Sequence, residues 1–400
     1  MHGTIPSRHI RKRVVLHFPG FEPLDAHKHR ERYQRSMLKT AKLWGFAAEV
    51  GPIGREGGRP FFDVDSHDLA WRISSRVHIL DHNDLVRRLN GRPLAARLVN
   101  GYLSAARVIL EGGTQAYFRH AWRFGLFFVF PFLLVGLAMG ASLAIAGYPH
   151  WFGLGWGHYP LAITLAHVFF FSIFLPWSER LHTLHLLSDW EMAVAIARLD
   201  RRSVLDWLED CAAAARTALA GEADEYVISS HSMGSSVAVH VIGMLLEREP
   251  ELFKGKRVVF ATLGGAVLQC ALLRSATALR ARVGAIARTK EIFWLDVQCL
   301  ADAINFYKSR VVALAGHPDA PQAHIIFIRI RNMLSPERYR KIKRDLLRVH
   351  RQYVLDADRR TRFDFALMTA GPLPAASFAD FSWDLPLETE SEHPPLSRVG

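Results

Sequence analysis

Five residues near the middle of the chain, Ser230-His231-Ser232-Met233-Gly234, have the types and spacing to support nucleophilic chemistry. They follow an apolar β-type run, Tyr226 to Ser229, and precede an amphipathic helical pattern, so they sit where a strand turns sharply into a helix. Such a turn exposes its central Ser only if the residues two before and two after are small. Ser230 and Gly234 meet that condition, although Ser230 stands where a GxSxG elbow has its first Gly. Ser232 at the helix start would lie beside unpaired backbone N–H groups, and the N–H of Met233 is expected to receive a developing oxyanion. A serine helix cap is the competing structural reading. His231 adjoins the Ser, but side chains diverge in a strained turn, so it is expected to pack rather than act as base.

The other parts of an acyl-transfer site are expected elsewhere along the chain. His17-Phe18-Pro19-Gly20-Phe21-Glu22-Pro23 follows the first β-type run, where Gly20 allows a close turn and the Phe21 N–H is the second oxyanion candidate. The acid and base must follow Ser232 in the order Ser, Asp or Glu, His. Asp302 lies beyond the end of the strand-like run Glu291 to Val297, where groups at the C-terminal ends of strands gather ligands. It is preferred to Asp296, which lies within that run. Of His317, His324 and His350, the last lies beyond the final strand candidate and leads as base.

The elements needed to hold these residues alternate between strand and helix. Arg13 to Gly20, Phe46 to Val50, Pro60 to Val64 and Arg76 to Leu80 read as strands before the middle of the chain. Arg257 to Gly264, Glu291 to Val297 and His324 to Arg331 follow the elbow. Helical patterns cover His27 to Leu43, a stretch from Asp84 onward, and Asp189 to Ala220 as one long helix. The expected fold is α/β, with a mostly parallel sheet flanked by helices and an inserted two-helix transmembrane hairpin. The boundaries are 1–123 for the N-terminal part with the oxyanion loop, 124–178 for the hairpin, 179–370 for the part with elbow, acid and His, and 371–400 for an irregular, partly disordered tail.

The hairpin rests on composition. Phe124 to Ser178 contains no Asp, Glu, Lys or Arg, and Leu126 to Gly147 and Tyr159 to Trp177 are each close to the length that crosses a bilayer. The connection between them, Tyr148 to His158, is aromatic and uncharged, as interfacial loops are. Arg107, Arg119 and Arg123 precede the first span and Arg180, Arg198, Arg201 and Arg202 follow the second, which predicts that both flanks are cytoplasmic. The N-terminus has basic residues but no apolar segment of the kind a signal peptide carries. The chain has 50 Lys and Arg against 38 Asp and Glu, for a net charge of +12. Next to two spans, that charge points to a lipid surface rather than nucleic acid. Cys211, Cys270 and Cys299 lie far apart, with neither metal-ligand nor disulfide spacing, and no cofactor is expected.

Taken together, VVLHFPGFEP, SSHSMGSS, WLDVQCLADAINFYKS and LLRVHRQYVLDAD resemble the α/β-hydrolase superfamily, and more narrowly its bacterial membrane-anchored members of unknown substrate. The resemblance implies Ser232 as nucleophile, Asp302 as acid, His350 as base and the Phe21 and Met233 N–H groups as oxyanion hole. It implies a multi-pass protein of the bacterial inner membrane that hydrolyses an ester or thioester, with a small-molecule or lipid acyl substrate. Acyl transfer by the same triad, and a catalytically silent membrane scaffold, are the alternatives. The oligomeric state is not legible. Pro19, where the family usually has a His-Gly pair, and Ser230 are the departures.

Overall fold

The computed structural model describes residues 10–382 and residue 384. Nine strands form one sheet: β1 (Lys12–Phe18), β2 (Ala47–Val50), β3 (Gly54–Glu56), β4 (Arg59–His67), β5 (Arg72–Ile79), β6 (Glu225–His231), β7 (Val258–Leu263), β8 (Ile292–Cys299) and β9 (His324–Ile328). Their order across the sheet is β2-β4-β5-β1-β6-β7-β8-β9, with β3 beside β4. From β5 through β1 to β9 every pairing is parallel. The pairings of β4 with β2, β3 and β5 are antiparallel, so the sheet is mixed rather than mostly parallel throughout. The cause is local. Gly57 and Gly58, with φ of 56° and 78°, close a two-residue turn, and so short a connection joins only antiparallel strands. The stretch between the strand candidates Phe46 to Val50 and Pro60 to Val64 therefore contains β3.

Alternation along the strands divides the core in two. Val14, Leu16, Phe18, Tyr226, Ile228, Val258 and Phe260 face one layer of helices, whereas Val15, Val227, Val259, Ala261, Leu295 and Val297 face the other. Every residue of β6 is buried because it lies between two strands and under both layers. Across β1 and β6 the side chains of Arg13 and Glu225, both fully buried, pair at 2.8 Å. Arg13 also donates to the carbonyls of Gly371 and Leu373, and the Ala375 N–H donates to Glu225. These bonds hold the start of the expected irregular tail against the sheet, with Ala375 and Phe378 fully buried. Residues 383 and 385–400 of that tail lie outside the described residues.

Two helical predictions change. Asp189 to Ala220 is not one helix but two, Thr183–Arg198 and Arg202–Ala220, separated at Leu199, whose φ of 55° leaves the right-handed region. The stretch from Asp84 likewise divides at Gly91-Arg92-Pro93 into Asn83–Asn90 and Leu94–Leu110, because Pro93 cannot supply the N–H a continuous helix needs.

The charge-free window forms two helices long and apolar enough to cross a membrane, Gly113–Trp151 of 39 residues and Trp156–Glu179 of 24. The first bends at Ala121, where φ and ψ are −153° and 75°, ahead of the charge-free segment. Helix continues through Pro149, so the connection is shorter than expected, Phe152 to Gly155. Val135 and Ala138 on one arm pack on Phe170 and Phe174 of the other. Leu133, Leu137, Leu143, Ile163 and Ile173 point outward and are more than half exposed.

Candidate active site

Parallel pairing brings the C-terminal ends of β1, β6, β7 and β8 to one edge, since Phe18 is level with Ser230, His231 with Leu263, and Leu263 with Val297. The loops leaving these strands therefore meet there. After β6 the chain reverses at Ser232, whose φ of 53° is a left-handed conformation that a non-Gly residue adopts at a cost of about 1–3 kcal/mol. The helix Gly234–Arg248 begins two residues later, with Met233 at its cap position. Ser232 thus stands before the helix start rather than on it. Its own N–H donates to the Leu263 carbonyl, and its carbonyl accepts from the N–H groups of Ser235 and Ala266. These bonds tie the strained turn to β7 and to the helix.

The small residues around the turn have distinct physical reasons. A Cβ on Gly234 would fall 2.3 Å from the Phe18 carbonyl oxygen and 2.4 Å from that of Pro19, so the end of β1 lies against the helix start. Ser230 is fully buried, and its hydroxyl bonds to Ser235 Oγ at 3.1 Å and the Ala261 carbonyl at 3.2 Å. A hydroxyl thus fits where the usual motif has glycine because it has two hydrogen-bond partners there. A Cβ on Gly20 would come within 2.9 Å of His231 Nδ1 and 3.1 Å of Ser232 Cβ, so the loop after β1 closes directly over the turn. Phe21 lies in that loop, with its ring against His82 and His185 and its carbonyl accepting from His185 Nε2 at 3.0 Å. Among the described residues, neither the Phe21 nor the Met233 N–H is engaged by a backbone carbonyl.

Asp302 and His350 lie 48 positions apart in sequence and meet, with His350 Nδ1 at 2.8 Å from Asp302 Oδ2. Asp302 also accepts from the Ile304 N–H, Asn305 Nδ2 and the Tyr353 hydroxyl. Burial alone would raise its pKa. His350 and these donors outweigh burial and hold the carboxyl below its ordinary value. A carboxylate at Nδ1 fixes the proton there, leaving Nε2 with its lone pair. That Nε2 is buried without a protein partner, and His350 lines a narrow cavity together with Ser232.

His231 also lines the cavity, with Nδ1 beside Gly20 and unpartnered among the described residues, but its other nitrogen is engaged. Its Nε2 donates to the His350 backbone carbonyl at 2.9 Å, so it braces the His350 backbone, and burial foremost, with the neighbouring His350, lowers its pKa to about 3. Asp296 bonds to Thr262 Oγ1 and Gln298 Nε2, each at 2.7 Å, within the sheet. His317 bonds to the Arg280 carbonyl and His324 is exposed at the start of β9, and neither lines the cavity.

The cavity also has lining residues not singled out in the sequence. Glu22 pairs with Arg32 at 2.8 Å and with Arg351 at 3.7 Å. Burial opposes its ionisation, but the two guanidiniums prevail and lower it to about 2. Its place inside the quoted loop after β1 was the available signal. His185 and Asp189, one turn apart on the helix Thr183–Arg198, share the cavity with Gln269 from the short helix Val267–Ala271. No spacing pattern marks these three, because their convergence depends on how the helices pack. Phe127, on the first apolar helix, forms another part of the wall. Comparison of the chain with family models, with curated proteins and with solved structures finds no match.

Proposed function

We propose that the protein is a membrane-anchored serine hydrolase of the α/β-hydrolase type, cleaving an ester or thioester through Ser232, His350 and Asp302. The observation that carries this reading is the His350 ring, which is held by Asp302 through Nδ1 while Nε2 is unpartnered in the cavity it shares with Ser232. His350 Nε2 takes the proton of Ser232 Oγ, and Oγ bonds to the substrate carbonyl carbon. The carbonyl oxygen gains the negative charge and is received by the Phe21 and Met233 N–H groups. His350 returns the proton to the departing alcohol or thiol. Water, deprotonated by the same nitrogen, then releases the acid from the acyl-enzyme.

The two apolar helices support anchoring, and the Arg residues at their ends favour a cytoplasmic position for both flanks. Phe127 belongs to both the first apolar helix and the cavity wall, which favours an acyl substrate drawn from the membrane surface. Protease added to inside-out vesicles should cleave both flanks, and protection of either one contradicts the orientation.

The decisive test is labelling by an alkyl fluorophosphonate in detergent. The native protein should be modified and Ser232→Ala should not. A folded native protein that resists labelling favours a scaffold. Preferential transfer of the acyl group to an added alcohol over water favours an acyltransferase.

A further inference from the structure

We infer that Asp189 and Gln269 form a recognition site for a hydrogen-bond donor, a hydroxyl or an amine, carried on the acyl group that Ser232 attacks. The inference rests on the hydrolase reading and adds a substrate class to it. Asp189 is 8 % exposed, and that exposure is to the cavity containing Ser232 and His350. Among the described residues its one hydrogen-bond partner is Gln269 Nε2 at 3.2 Å, and no Lys or Arg pairs with it. Glu191, two residues further along the same helix and also buried, is met by both Arg92 and Arg201, at 2.7 and 2.6 Å. Elsewhere in the sheet core Glu225 has Arg13. Asp189 is thus a buried carboxyl for which the fold supplies one amide and nothing more.

A buried polar group left short of partners costs about 1–3 kcal/mol, which a bound donor would recover. The Gln269 side chain orients the pair, because giving its N–H to Asp189 turns its carbonyl oxygen into a second acceptor. The same cavity has apolar wall from Phe127, Leu186, Ile304 and Leu347 beside the polar Glu22, His185 and Arg351. The space is about 40 Å³, so what it can recognise is the donor group and the few carbons beside the reacting carbonyl. Burial raises the Asp189 pKa to about 7, so near neutrality the carboxyl can either share a proton with a hydroxyl or ionise against an ammonium.

The test compares three octanamides, plain, 3-hydroxy and 3-amino, binding to detergent-solubilised Ser232→Ala protein by ligand-observed NMR. The corresponding p-nitrophenyl esters are assayed on the native enzyme. At least one donor-bearing compound should be preferred to the plain one by ~10–100-fold. Asp189→Leu should abolish the preference. Asp189→Asn keeps an acceptor and should retain a hydroxyl preference while losing one for the amine, which separates the two sources. If Asp189→Leu does not fold, Gln269→Leu should reduce the same ratio severalfold. Equal binding of all three amides, or a ratio unchanged in Asp189→Leu, overturns the inference. A preference that persists in protein that no fluorophosphonate labels overturns the hydrolase reading and leaves the recognition site standing.

Discussion

The loop after β8 and the helix Thr183–Arg198 each bring a carboxyl to the cavity at the C-terminal edge of the sheet, and they surround it differently. Asp302 receives four donors: a backbone N–H, an asparagine amide, a tyrosine hydroxyl and the His350 ring. Asp189 receives one. Both carboxyls are deeply buried, yet Asp302 is held below its ordinary pKa and Asp189 rises to about 7. Burial therefore does not decide charge at this site. The partners decide it, the His350 ring foremost and then the other donors, and the two carboxyls suit different tasks: a fixed anion orients an imidazole, whereas an under-supplied acid is open to a ligand.

The largest effect should come from removing the fixed anion. In Asp302→Asn the amide can no longer hold the Nδ1–H tautomer of His350, and loss of this orienting acid is expected to lower the acylation rate by ~10⁴. The readout is the rate of fluorophosphonate labelling, with the melting temperature as the check on folding. Labelling at the native rate would mean that His350 needs no partner at Nδ1 and that the donor cluster serves the loop alone.

A smaller effect of different kind is expected at the other carboxyl. The Asp189 pKa is 3.8 before folding and about 7 after it, so the folded state holds its proton more tightly. Its contribution to stability is complete below pH 3.8 and is lost as pH rises through 7. Asp189→Asn removes that loss. The variant should therefore gain on the native protein as pH rises from 3.8 to about 7 and keep a constant advantage above that, by at most a few kcal/mol. The histidines beneath the site act with the opposite sign. Burial lowers His29 and His231 to about 3, so their contribution is present above pH 6.5 and falls away under acid. Melting curves across pH separate the two limbs, and a variant that tracks the native protein at every pH would show that Asp189 is not burdened by its burial.

The pairing of the first carboxyl with His350 was legible in the sequence, and the place of the second carboxyl was not. Asp302 and His350 follow Ser232 in a required order and stand beyond strands that alternation reveals, so local pattern and chain order were enough. The elbow was legible because its demand is for volume, and Ser230 satisfies it. Asp189, by contrast, stood first in what read as one long helix. Its burial depends on a helix that begins earlier, at Thr183, and ends at Leu199 in a left-handed turn that leucine rarely marks. The packed start of the tail depends on Arg13, whose reach to Gly371 and Leu373 spans most of the chain. In the sequence Glu22 lies near Arg32 but far from Arg351, and only the closing of the loop over Ser232 unites them. Contacts of this kind arise from tertiary packing, and no local period encodes them.

The smallest effect on rate is expected at Asp296, the nearest rival to Asp302 in sequence. Its position on β8 is level with Thr262 on β7, and its carboxyl is occupied by the Thr262 hydroxyl and the Gln298 amide. Gln298 is held in turn, because its side-chain oxygen accepts from the Lys308 N–H at 2.6 Å and so cannot rotate to offer an acceptor instead. In Asp296→Asn the new amide can still accept from Thr262, but its NH₂ group meets that of Gln298. The result should be a stability loss of about 1–3 kcal/mol. Labelling should stay within about threefold of the native rate, against ~10⁴ for Asp302→Asn. A large loss of labelling in a folded Asp296→Asn protein would reverse the assignment, because the carboxyl sensed by His350 would then be the one inside the sheet.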